Sequence, residues 1–261
     1  IKLGGLGGMF RGLQQAGPQY VDWWAGHSGW MLLAFLAGKF GIGLGYPGQP
    51  HVVNRFMAMR SEQEVRRGTI ISLVWGAIIY GGMLITGWCG RALVASISND
   101  ETILLHLTTQ LFGPIPAGLI IAAVLSAIMS TADSQLLVCG STVAYDLPQN
   151  KHGHRLGLNR LTIASLGGVA IAAAIFIDDT IFNTVLFAWS GLGAAFGPLL
   201  LVRLSGRRVA PTYALTALWV GFLTSIVWFY TPVLKGMVYE LVPAFLLALS
   251  VCLLGSRKLR S

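Results

Sequence analysis

A chain of 261 residues that is 54% hydrophobic and only 11% charged lies far from the roughly 25% charged residues of ordinary globular domains. Long apolar runs recur over its whole length, with no polar stretch large enough for a soluble domain, so the composition excludes a soluble enzyme and indicates one integral membrane domain. The formal net charge of +8 raises nucleic acid as a partner, but its distribution, given below, assigns it to orientation in a lipid bilayer and argues for no nucleic-acid partner.

The chain opens at Ile1, and Ile1–Gly26 lacks the basic start, apolar middle and small-residue cleavage site of a signal peptide. We read the sequence as a fragment of a longer polypeptide. Residues 1–28 are expected to form an external loop and interfacial segment, with Tyr20, Trp23 and Trp24 at the depth that amphipathic rings prefer. Seven transmembrane helices are predicted after it, at about 29–46, 69–97, 114–146, 158–177, 181–203, 212–230 and 237–255. Between the second and third, Ile103, Leu104, Leu107 and Leu111 fall at helical spacing, predicting a short amphipathic helix that is either a packed surface loop or an external gate.

The links alternate in charge. Arg55, Arg60, Arg66 and Arg67 follow the first segment, Lys151, Arg155 and Arg160 the third, Arg203, Arg207 and Arg208 the fifth, and Arg257, Lys258 and Arg260 the seventh. The opposite side holds Lys2, Arg11, Arg91 and Lys235. The positive-inside rule makes the richer side cytoplasmic, with the first residues outside and the last inside a cell membrane.

Enzymatic chemistry finds no support. His27, His51, His106, His152 and His154 lie near segment ends or in links, without a HExxH, GxSxG or Walker-type pattern. Cys89, Cys139 and Cys252 stand alone in separate segments, which argues for packing and against metal or disulfide roles.

Three segments carry unusual residues. The first contains Lys39 and then Gly41, Gly43, Gly45, Pro47, Gly48 and Pro50. Glycine costs about 1 kcal/mol and proline about 3 kcal/mol against alanine in a helix interior, so the helix is expected to open here. Close packing through Gly41 and Gly45 is a compatible alternative. The fifth carries Gly191, Gly193, Ala194, Ala195, Gly197 and Pro198, a small-residue stripe suited to close helix contact, preceded by Thr184, Trp189 and Ser190, which could line a cavity or bond to their own helix.

The third carries Ser126, Ser130, Thr131, Asp133, Ser134 and Gln135. Ser130 falls about 24 Å from either end of that run at 1.5 Å per residue, close to the midplane of a bilayer core about 30 Å thick. Ala127, Ser130 and Thr131 share one helix face, offering a backbone carbonyl and two hydroxyl oxygens. Oxygen donors of this kind suit a hard cation such as Na⁺, with further ligands needed from another element; bonding of both hydroxyls within their own helix is the alternative. Asp133 either lines an ion path or forms a structural ion pair, and Lys39 could face it or a substrate carboxylate.

Read together, Gly43–His51 with Arg55-Phe56-Met57-Ala58, Ala127–Thr131 with Gln135–Val138, Ala188–Pro198 and Tyr239–Pro243 resemble, in order, the sodium/proline branch of the sodium:solute symporter family. The resemblance implies an all-α integral membrane protein of the leucine-transporter fold. Residues 29–203 would be its second five-helix repeat and 204–261 two additional helices and a tail. It further implies sodium-coupled symport of a small organic solute, proline or a related amino acid, by alternating access. Na⁺ would bind at Ala127, Ser130 and Thr131, and Ile42, Tyr46 and Pro50 would line the solute pocket. The partners implied are an amino acid, the lipid bilayer and a missing N-terminal repeat of the same protein, without which no transport is expected.

Two residues depart from the branch: Ile42 stands where proline symporters carry Trp, and Pro47 replaces an aromatic residue. Both remove stacking surface from the pocket. A symporter-like sensory module joined to a kinase, and a sodium-independent exchanger in which Lys39 replaces Na⁺, are the competing readings.

Overall fold

A computed structural model describes residues 3–24, 26–94, 97, 99–146, 155–176 and 179–258. Six helices among them are long and apolar enough to cross a membrane, and a shorter apolar helix, Leu241–Leu254, follows. The chain divides into two compact units, residues 1–18 with 67–179 and residues 19–66 with 180–261.

In the first unit, α1 (Leu6–Ala16) occupies part of the stretch expected to be loop. Met9 and Leu13, one turn apart, are buried. Gly12 lets this helix approach Ala92 closely, and the Cys89 thiol lies 3.7 Å from the Met9 sulfur.

The long helix α4 (Glu62–Leu93) begins before its apolar run. The Ser61 hydroxyl accepts the Glu64 amide (3.2 Å) and the Glu64 carboxylate accepts the Arg60 amide (2.9 Å). This reciprocal capping satisfies amides left free at the helix start. The expected amphipathic helix is α5 (Ile103–Leu111); Ile103 and Leu107 pack on Gly90, where an added Cβ would lie 2.5 Å from Ile103. Next come α6 (Pro114–Ser141), which ends in a π-helical turn at Thr142–Asp146, and α7 (Arg155–Phe176). These two helices meet where Gly140 faces Asn159 and Ile163.

In the second unit, α2 (Gly29–Gly41) gives way to a 3-10 segment, Ile42–Gly48, and then to α3 (Pro50–Met57). The break falls where glycine and proline crowd, as expected from their helix penalties. The remaining elements are α8 (Ile181–Leu204), β1 (Arg207–Val209), α9 (Pro211–Tyr230), the single turn α10 (Pro232–Lys235), α11 (Leu241–Leu254) and β2 (Ser256–Lys258). The strands are an exception to the all-helical expectation. Gly206 turns the chain at φ 75°, and Arg207 and Val209 pair antiparallel with Lys258 and Ser256 beyond the ends of α8 and α11.

The core of this unit lies around α8. Ala194, Leu241, Ala244 and Phe245 form one buried cluster, and Val202, Val209, Ala217 and Cys252 another. Pro198 has no amide proton, so the Ala194 carbonyl one turn earlier loses its helical partner. Gly221 of α9 packs directly against that carbonyl. The small-residue stripe thus acts as close-packing surface: Gly191, Gly193, Ala194, Ala195 and Gly197 are all buried.

Candidate functional site

The hydroxyl-rich stretch lies on α6, which runs unbroken through it. Ala127, Ser130 and Thr131 are exposed. The Thr131 hydroxyl donates to the Ala127 carbonyl (3.2 Å), and Ser134 donates to the Ser130 carbonyl (2.8 Å). Internal bonding therefore occurs, but it spares oxygen: a hydroxyl that donates its proton keeps its lone pairs. Ser126, Ser130, Asp133 and Ser134 line one open face of the helix. Asp133 is exposed on that face.

The second location is the break between α2 and α3. Freed carbonyls at such a break need donors. The Trp189 indole N–H of α8 donates to the Ile42 carbonyl (3.0 Å). The side-chain amide of Gln49, which is 3% exposed, donates in return to the Trp189 carbonyl (3.1 Å). Tyr46 meets Trp189 edge-on with ring centroids 4.8 Å apart. This clamp requires small residues: the indole fills the place of a Gly45 side chain, and an added Cβ on Gly48 would lie 2.6 Å from the Gly193 Cα.

Ile42, Tyr46 and Pro50 do not share one cavity. Ile42 and Lys39 line a cavity of about 450 Å³ with His27, Trp30, Lys235 and Tyr239. Pro50 lines another of about 590 Å³ with Pro47, Asn54, Phe196 and Arg203, and Tyr46 lines neither. Successive members of the trio are four residues apart, so the break sets them along its course instead of around one centre.

Sequence reasoning missed the role of Glu240. It is buried and is reached by the Ser190 hydroxyl (3.3 Å), which also lies 2.6 Å from the Ser225 hydroxyl and donates to the Phe187 carbonyl (2.8 Å). This polar centre joins α8, α9 and the start of α11. Periodicity within one segment could not reveal it, because Ser190 stands 35 residues from Ser225 and 50 from Glu240.

Six long apolar helices, one interrupted near its end and one carrying a hydroxyl stripe, define a polytopic helical membrane protein. The model of the Sodium:solute symporter family matches residues 1–221, and the chain belongs to that family. Its relatives include the osmoregulated proline transporter OpuE of Bacillus subtilis (strain 168), 32% identical over 95% of this chain and 52% of that protein. The high-affinity proline transporter PutP of the same organism is 37% identical over 79% of this chain and 46% of its own length. The sodium/proline symporter of Escherichia coli (strain K12) is 33% identical over 94% of this chain and 51% of its own length. The chain spans about half the length of these relatives. No solved structure matches it.

Proposed function

We propose that this chain forms part of a sodium-coupled symporter for a small amino acid, with proline as the leading solute. The observation that carries the reading is family membership over residues 1–221, joined to relatives named as proline transporters. Helix α6 supplies the chemistry: the Ala127 carbonyl and the Ser130 and Thr131 hydroxyls are hard oxygen ligands for Na⁺. Ile42, Tyr46 and Pro50 contact the solute along the interrupted helix, where transporters of inverted-repeat design bind their cargo. Asp133 neighbours the ion path.

In the intact protein the fold is of the leucine-transporter type, with residues 29–203 as the second repeat and 204–261 as two additional helices. Seven crossings, the seventh being the shorter α11, put the first residues outside and the last in the cytoplasm. An N-terminal repeat completes the sodium shell, and access alternates between the two sides. One Na⁺ descending 100 mV releases about 2.3 kcal/mol, and a tenfold gradient adds about 1.4 kcal/mol. Together these support several-hundredfold accumulation of solute.

The test is uptake of radiolabelled proline by the full-length protein in proteoliposomes, with and without a sodium gradient. Ser130→Ala is expected to raise the Na⁺ concentration for half-maximal uptake at least about tenfold, the loss of roughly one charge-assisted contact. Unchanged sodium dependence in that variant would remove Ser130 from the site, and sodium-independent uptake by the wild type would remove the mechanism.

A further inference from the structure

The cavity of about 450 Å³ in the second unit has a charge pattern that the ion stripe and the interrupted helix do not account for. Trp30, Phe35 and Ile42 give it apolar surface, Lys39 and Lys235 line it, and among the described residues no carboxylate does. Lys39 is the one charged residue of the first apolar helix, Gly29–Gly48. Both lysines are exposed. The Lys39 ammonium lies 5.4 Å from the Phe35 ring centre and that of Lys235 lies 3.9 Å from the Phe229 ring centre. Aromatic faces hold cations in place without neutralising them. The Glu240 carboxylate, whose field reaches Lys235, lies 3.3 Å from the Ser190 hydroxyl and is not among the residues that line the cavity. The Tyr239 hydroxyl donates to the Leu186 carbonyl (2.8 Å). Lys39 and Lys235 are thus the lysines of a cavity whose walls are largely apolar.

We propose that this cavity binds small amphipathic monocarboxylates, with Lys39 and Lys235 taking the carboxylate and Trp30, Phe35 and Ile42 the apolar body. The fit is one of charge sign and shape: a carboxylate forms charge-assisted hydrogen bonds to ammonium groups that its neutral amide cannot match. The transport role of the site rests on the symport reading above. Ile42 belongs both to this cavity and to the proposed solute path, so the site adjoins that path.

The probe is phenylacetate, compared with phenylacetamide, which keeps the shape and loses the charge. Equilibrium binding of both is measured on the purified full-length protein in phosphatidylcholine vesicles, with proline uptake followed in the same preparation. Phenylacetate is expected to bind at least about tenfold more tightly than the amide, equivalent to about 1.4 kcal/mol. The ratio should fall to about one in the Lys39→Gln/Lys235→Gln variant and persist in Lys39→Arg/Lys235→Arg, where charge is retained. If the double glutamine variant does not fold, Lys235→Gln alone, in the short exposed α10, should lower the ratio. Equal affinities in the wild type, or a ratio indifferent to glutamine, would overturn the proposal. Displacement of phenylacetate by added phosphatidylglycerol would also overturn it, by assigning the lysines to lipid headgroups. Charge-selective phenylacetate binding without sodium-dependent proline uptake would refute the symport reading while leaving the carboxylate site standing.

Discussion

Replacing Gly48 by alanine tests the contact that holds the interrupted helix against α8. An added Cβ would lie 2.6 Å from both the Gly193 Cα and the Leu192 carbonyl oxygen. Ordinary carbon contacts are near 3.5–4.0 Å, so the two backbones must part by about 1 Å. Both neighbours are backbone atoms and not the ends of movable side chains, and the Trp189–Ile42 and Gln49–Trp189 hydrogen bonds cross the same junction. Overpacking of this kind costs about 1–3 kcal/mol, and stretching either bond adds up to about 1 kcal/mol. Gly43→Ala is the internal control, since the same 3-10 segment leaves open space around Gly43. Thermal unfolding of the full-length protein in detergent, followed by tryptophan fluorescence, should show a midpoint several degrees lower for Gly48→Ala and nearly unchanged for Gly43→Ala. Equal midpoints for the two variants would refute the backbone-to-backbone packing.

Two further expectations concern polar groups. Ser190→Ala removes the hub that meets Ser225, Glu240 and the Phe187 carbonyl, and stranding buried groups costs about 1–3 kcal/mol. It should therefore lower the unfolding midpoint more than Ser225→Ala, which removes only the 2.6 Å partner; the reverse order would deny Ser190 its central place. At the start of the second unit, the Asp22 carboxylate accepts the Trp24 amide (3.0 Å) and the Gly26 amide (2.6 Å), which together hold its pKa below the usual range. The folded pKa is the depressed one, so the turn's stabilisation is complete above the unfolded value of about 3.9 and disappears as pH falls through the lower folded value. Hydrogen exchange of the Gly26 amide should show protection at neutral pH that Asp22→Ala abolishes, and equal protection in the two proteins would count against the turn.

The parts legible in the sequence are those governed by local chemistry. The Gly/Pro run after Lys39 announced an opened helix because each residue carries its own helix penalty. The structure adds that the opening is 3-10 and is clamped by Trp189 and Gln49, residues whose role depends on a distant segment. The apolar-run criterion missed the first turns of α4, since the Ser61–Glu64 capping that starts it is polar. It also read Leu6–Ala16 as loop, because glycine content masked the Met9–Leu13 pair. The polar centre at Glu240 was illegible for a different reason: three helices bring it together, and no window along one of them contains it.

Exposure on α6 separates two sectors with different requirements. The most apolar stretches of α4, α6 and α7 are only 0%, 6% and 0% buried within the structure, so their surfaces must meet a bilayer or further protein. Ile121, Ile128, Ala132 and Leu136 lie within about one quarter of the helix circumference at 100° per residue, a sector that hydrocarbon can cover. Ser126, Ser130, Asp133 and Ser134 line the open face on the other side. A carboxylate at the centre of a lipid-facing helix costs at least about 2.5–3.5 kcal/mol, and the neighbouring hydroxyls would lose their water as well. Lipid can therefore solvate the first sector and not the second. The polar sector of α6 must face water, an ion or the remainder of a larger protein, and of the three residues proposed for sodium it is Ser130 that lies in it.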